Sequence, residues 1–198
     1  MGENATGPCT WCTRCGDLCE RAIGAGMKPA VGRQLAEESR TRIADSLRGA
    51  HMVFIAAGLG GGTGTGAAPV IARAARDRGI LTVGIVTIPF QFEGRRRGNQ
   101  AAEGLQKMRE SVDTLLIIRN DKLRELYGNL SIRAAFNNAD EILCTAAKGI
   151  AEVITLTGEI NVDMNDVNTV MRDSGRAIMG SGTASGEGRA RTAVTEAL

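Results

Sequence analysis

The chain has 198 residues, 24 basic and 22 acidic, for a net charge of +2. A hydrophobic content of 43% is ordinary for a globular protein with one sizeable core, and the balanced charge argues against a nucleic-acid or membrane-surface partner. No apolar run approaches the roughly 18 residues of a spanning helix, and residues 1–20 lack the apolar centre of a secretory signal, so a cytoplasmic protein is expected.

In chain order, residues 1–20 differ in composition from everything that follows. Cys9, Cys12, Cys15 and Cys19 carry a C-x2-C-x2-C-x3-C spacing used by iron–sulfur clusters. Glu20 follows the last of them, where the ferredoxin run has proline, and such spacing on a short peptide also takes up zinc adventitiously. No metal is assigned to it. Regular pattern begins near residue 21. Residues 36–48 read as an amphipathic helix, and 51–57 (HMVFIAA) as a buried strand with His51 at the surface. Residues 58–66 form a glycine loop. A helix over 67–78 follows, closed by Gly79. Residues 80–88 (ILTVGIVTI) are a second buried strand, stopped by Pro89, then a helix spans 97–111 and a third strand 114–118. A long helix is predicted over 131–154, where apolar residues recur at steps of three and four, with Cys144 buried in it. A polar loop over 161–166, a short helix over 167–172, a strand over 177–183 and a helix over 186–198 complete the chain. Apolar strands alternating with helices indicate an α/β fold with a mostly parallel sheet covered on both faces.

The segment Gly58-Leu59-Gly60-Gly61-Gly62-Thr63-Gly64-Thr65-Gly66 leaves a strand and opens a helix. Glycines let the backbone approach a ligand, threonine hydroxyls add donors, and a helix N-terminus offers free N–H groups and partial positive charge. Together these make a phosphate cradle. A Walker loop is excluded because no lysine follows the glycines. A dinucleotide-binding loop fits Gly62, Gly64 and Ala67 formally, but the next strand ends Thr87-Ile88-Pro89 with no acidic residue until Glu93.

The string GGGTGTGAAPVIA closely resembles the signature of the tubulin/FtsZ superfamily, in its FtsZ form. The segments AEESR (36–40), MVFI (52–55), FEG (92–94), NDKL (120–123), NVD (161–163) and ASGE (184–187) are similar to that family in the same order. The resemblance runs from about residue 21 to the end. It implies a Rossmann-like GTPase domain over 21–158 that lacks the family's first strand, with the long central helix. Residues 159–198 then hold a catalytic loop and the start of a second domain, and 1–20 are an atypical cysteine-rich segment.

The resemblance also implies roles. Gly60, Gly61, Gly62, Thr63, Gly64, Thr65 and Gly66 wrap the α- and β-phosphates of GTP, with Mg alongside, and Gly24, Ala25 and Gly26 form the loop facing the γ-phosphate. Glu93 and Arg97 hold ribose and phosphates. Phe136 stacks on guanine, and Asp140, four residues on and so on the same helix face, accepts from its N1–H and amine. Asn161, Asp163 and Asp166 are catalytic, reaching the nucleotide of a neighbouring copy in a head-to-tail filament; read alone, Asp163 and Asp166 are helix-capping acids. The implied function is GTP-driven polymerisation and hydrolysis in bacterial cell division, with other division proteins as partners. Residues 1–20 contain nothing like the family's first glycine loop. A non-enzymatic remnant, or a fragment that caps filaments, is therefore the alternative.

Overall fold

The computed structural model of the chain describes residues 25–127, 131–155, 162–180 and 182–197. Gly24, Asn161 and the four clustered cysteines lie outside the described residues, as does the rest of segment 1–20. The chain opens with α1 (Pro29–Glu38) and α2 (Arg40–Ser46). The single helix expected over 36–48 is thus two. Pro29 sets the start of α1, where its missing N–H costs nothing. Ser39 breaks the run with φ −94° and ψ 11°.

Strand β1 (Met52–Gly58) leads through a three-residue turn into α3 (Gly62–Arg76). Strand β2 (Leu81–Ile88) is followed by a 3-10 turn (Gln91–Glu93) and α4 (Arg95–Ser111), and β3 (Thr114–Arg119) runs straight into α5 (Asn120–Tyr127). Then come α6 (Ile132–Thr155), α7 (Met164–Met171), β4 (Gly175–Ala177) and α8 (Arg189–Ala197). The short helix thus starts at Met164 rather than 167. The last strand occupies only 175–177, because Gly175 hydrogen-bonds into the sheet while the described residues beyond Ala177 find no ladder.

The four strands lie in the order β1-β2-β3-β4, all parallel. Register pairs Met52 with Leu81, Val83 with Thr114, and Thr114 with Gly175. Parallel strands bury both faces, which is why β2 is apolar without alternation. On one face Ile55, Val86 and Leu115 pack against Ala68, Ala72 and Met108 of α3 and α4. On the other, Val83, Ile85 and Leu116 meet Leu143, Ala146 and Ile150 of α6. Behind α3, a third cluster of Ala36, Ile43, Ala67 and Ala74 seats α1 and α2. Burying each large aliphatic side chain contributes about 1.5–3 kcal/mol. Cys144, expected to be buried in α6, is exposed, on the face of the helix turned away from the sheet.

Candidate functional site

The carboxyl ends of parallel strands are where α/β folds leave a crevice for ligands. Here β1 ends at Gly58, and the turn Leu59–Gly61 delivers the N-terminus of α3 to that edge. Gly60 takes φ +97°, a conformation other residues resist, and its N–H donates to Thr65 Oγ1 at 2.8 Å. Thr65, 3% exposed, therefore ties the turn shut from within the helix. No side chain caps the helix at Gly61. The first-turn amides of α3, which have no intrahelical acceptor, are thus left for an external one. The expected loop of 58–66 is in fact three residues of turn and the first turn of a helix. Its later glycines also serve packing: a Cβ at Gly64 would strike the Gly58 carbonyl, and one at Gly66 would meet Pro29 O and Arg33 N of α1.

Around this edge stand the other expected residues. Ala25 is buried and packs on the glycine turn, so that a Cβ at Gly62 would lie 2.7 Å from its own Cβ. Gly26 (φ +54°) and Met27 (φ +59°) turn the backbone, with Lys28 N donating to Ala25 O at 2.9 Å. Met27 is held from α4, since Gln100 Nε2 donates to its carbonyl at 3.2 Å and Arg97 Nη2 reaches its sulfur at 3.3 Å. Glu93 is more committed than the sequence suggests: one oxygen accepts from Phe90 N at 2.9 Å and the other pairs with Arg97 Nη1. Arg97 is 39% exposed and keeps donors for a ligand. Phe136, 38% exposed, stands edge-on to Phe90 and Phe92 at 5.4 and 6.4 Å, while Phe92 stacks on Phe90 at 4.9 Å. Asp140 is exposed one turn further along α6.

One residue that sequence reasoning placed in a motif without giving it a role is Asn120, the first residue after β3. It is 5% exposed, and its Oδ1 has no hydrogen-bond partner. A buried unsatisfied acceptor costs about 1–3 kcal/mol, so this oxygen is poised for a donor. Its position at the carboxyl end of a parallel strand was the signal available in the sequence.

Asp163 and Asp166 are elsewhere. Asp163 caps α7, its Oδ1 accepting from Asn165 N at 2.8 Å and Asp166 N at 2.9 Å, while Asp166 Oδ2 accepts from Asp163 N at 3.2 Å. The capping role read from the residues alone is present, and both carboxylates are exposed. The far end of α7 is tied to the amino edge of the sheet. Thr114 Oγ1, at the start of β3, donates to Met171 O, and Arg172 Nη2 donates to Gly79 O, just before β2, at 3.1 Å. The 24 residues of α6 run antiparallel to the strands, from Phe136 at the carboxyl edge to Ile150 beside Met171. The glycine turn thus stands at the carboxyl edge of the sheet, while the helix that carries Asp163 and Asp166 is anchored by its far end at the amino edge.

A profile of the tubulin/FtsZ family, GTPase domain, matches residues 12–128. The chain belongs to the tubulin/FtsZ family. The match starts inside the cysteine-rich stretch, ahead of the motifs that carry the resemblance. An empty FtsZ dimer from M. jannaschii is similar at 46% identity and a TM-score of 0.83, over 89% of this chain and 52% of that one. A single-residue variant of the same M. jannaschii protein matches at the same identity and TM-score. CetZ from Methanosaeta thermophila, at 23% identity and TM-score 0.75 over 94% of this chain and 53% of that one, shares the fold. The chain thus spans about half the length of these solved relatives. The all-parallel sheet and long central helix are those of the tubulin/FtsZ GTPase fold, as the sequence motifs implied. Among the described residues, no helix is long and apolar enough to cross a membrane.

Proposed function

We propose that this chain binds GTP at the carboxyl edge of its sheet and hydrolyses it across a head-to-tail contact with a second copy. The observation that carries the reading is that α7, which bears Asp163 and Asp166, is anchored at the amino end of β3, while the glycine turn stands at the carboxyl edge of the sheet. Carboxylates on a helix anchored there suit a neighbour's nucleotide better than their own chain's. A contact between two different faces repeats without closing and gives a filament.

At the carboxyl edge, the free amides of α3 fit the α- and β-phosphates, and Gly61, with no atom within 4 Å of where a Cβ would stand, leaves room for them. Arg97 adds charge-assisted donors toward the phosphates. Glu93 orients Arg97 and offers its remaining lone pairs to the ribose. Phe136 presents a half-exposed ring for stacking on the base. Asp140 accepts from a guanine N1–H and amine, a pair that adenine does not offer. The unsatisfied Oδ1 of Asn120 accepts a further hydrogen bond from the nucleoside. No group of three or more metal-ligating side chains exists among the described residues. A Mg ion bound with the nucleotide would be held through the phosphates and would supply charge neutralisation there.

In the next copy, Asp163 and Asp166 keep lone pairs beyond those used in the cap. They orient and polarise a water for attack on the γ-phosphate. The family resemblance extends this to a cytoplasmic role in cell division, with other division proteins at the division site. The 46% identity to the M. jannaschii FtsZ supports this reading.

The test is GTP turnover as a function of chain concentration, alongside equilibrium binding of GTP and ATP. Preference for GTP and a turnover per chain that rises with assembly are expected. GTP binding with concentration-independent turnover would remove the intermolecular site. Absence of turnover, together with shortening of intact FtsZ filaments on addition of the chain, would establish the capping reading instead.

A further inference from the structure

At the amino edge of the sheet, a cluster of charges outside the nucleotide site joins three elements. Asp113, in the turn between α4 and β3, is 2% exposed and accepts from Thr82 N at 2.9 Å. Arg76, the last residue of α3, brings its Nε to 3.6 Å from Asp113 Oδ1 and donates from Nη1 to Glu110 O at 3.3 Å. Its Nη2 pairs with Asp173, two residues beyond α7. Asp173 has φ +53°, and the turn it makes lets Gly175 N donate to Asp113 O at 2.9 Å. Thr114 adds a hydroxyl contact to Ser174 at 2.7 Å and another to Met171 O. Arg172 bridges Gly79 O and Asn168 Oδ1 at 3.1 and 3.0 Å.

The contacts of Arg76 Nη2, Asp113 O, Thr114 and Arg172 hold the last turn of α7 and the residues just after it. The first turn, which carries Asp163 and Asp166, is capped only by its own residues, and Val167 alone in the helix is buried. The helix is a short lever fixed at one end, with the two acids at the other. We propose that Arg76 and Asp173, set by the buried Asp113, are positioning residues: they fix the direction of α7 so that Asp163 and Asp166 meet the nucleotide of the next copy. This rests on the hydrolysis reading above. It adds that residues touching neither nucleotide nor water set the rate from the opposite end of the helix. A misplacement of about 1 Å at a reacting group costs up to about a hundredfold in rate, so a loosened lever registers strongly in turnover.

The test is Asp173→Asn in the full chain. Asparagine tolerates the left-handed conformation, so the substitution removes the charge and leaves the turn. Three measurements go together. Hydrogen exchange of the amides over 164–171 is expected to quicken about tenfold while that over 81–88 stays unchanged. GTP affinity is expected to stay as in the parent, because the nucleotide edge is at the other end of the strands. Assembly-dependent turnover is expected to fall about tenfold. Asp45→Asn, which removes a surface ion pair with Arg48 far from α7, serves as the control and should change none of the three. Unchanged exchange over 164–171 would overturn the anchor itself. Faster exchange with unchanged turnover would overturn the positioning role. If the parent chain shows no turnover at all, the hydrolysis reading and the positioning role fall together, and the exchange result still decides whether the charges anchor α7.

Discussion

Asp163 holds two duties that sequence alone leaves unseparated, a helix cap and a catalytic carboxylate. The structure establishes the first, and chemistry can test the second. Asp163→Ala removes both, and a lost cap costs about 0.5–2 kcal/mol. Asp163→Asn keeps a capping oxygen and removes the charge. We expect Asp163→Asn to melt within a degree or two of the parent while assembly-dependent turnover drops about a hundredfold or more, the usual weight of a general base. Equal loss of stability and turnover in both variants would leave the cap as its sole duty. Phe136 is a second case. Its ring belongs to an aromatic cluster with Phe90 and Phe92, yet 38% of it stays exposed. Stacking on a base is worth about 1–3 kcal/mol, so Phe136→Ala should weaken GTP binding about ten- to a hundredfold in a titration. The turnover rate at saturation should change little.

Among the elements, the first three strands were legible, and β4 and the helix edges were not. HMVFIAA, ILTVGIVTI and TLLII became β1, β2 and β3 almost residue for residue, because an apolar run with turn signals at both ends has few other fates in a parallel sheet. The helix over 36–48 was misjudged because its periodic pattern runs through Ser39, where the backbone turns a corner without losing its buried face. The start of α3 was hidden by its glycines, which propensity counts as loop formers. They are glycines because backbone of β1 and α1 comes too close to Gly64 and Gly66 for a side chain, a contact no local pattern reveals. Helix α5 went unseen since it follows β3 without a break. These glycines give a prediction at the same scale. Gly66→Ala forces α1 and α3 apart, and overpacking of this kind costs about 1–3 kcal/mol. Gly61→Ala meets open space and an ordinary φ of −93°, and a substitution of that kind is usually within about 0.5 kcal/mol of neutral. Thermal melting should separate the two. GTP affinity should fall for Gly61→Ala despite its intact fold, since its methyl occupies the space offered to the phosphates.

Across the whole molecule, the expected nucleotide-site residues and the helix that carries the expected acids are held at different edges of the sheet. Ala25, Gly60, Glu93, Arg97 and Phe136 gather at the carboxyl edge, and Asp163 and Asp166 lie on α7, whose last turn is held at the amino edge. The sequence motifs named these residues but gave no distance between them. α6 runs back along the sheet from Phe136, and the end of α7 packs on the same cluster as Ile150. The polarity makes a prediction that no single-site mechanism shares. Copies carrying Asp166→Asn retain a sound nucleotide edge but offer no competent acid. Copies carrying Phe136→Ala and Asp140→Ala offer the acids but hold GTP poorly. Each variant alone should turn over little GTP at nucleotide concentrations near the parent's Kd. Mixed in equal amounts, they should recover about a quarter of parental turnover, because a heterologous contact sets a sound pocket against sound acids at about one junction in four. The recovery should vanish on dilution below the assembly threshold. A mixture no more active than the sum of its parts would mean that Asp166 and the nucleotide edge act within one chain, and the opposed edges would then need a different explanation.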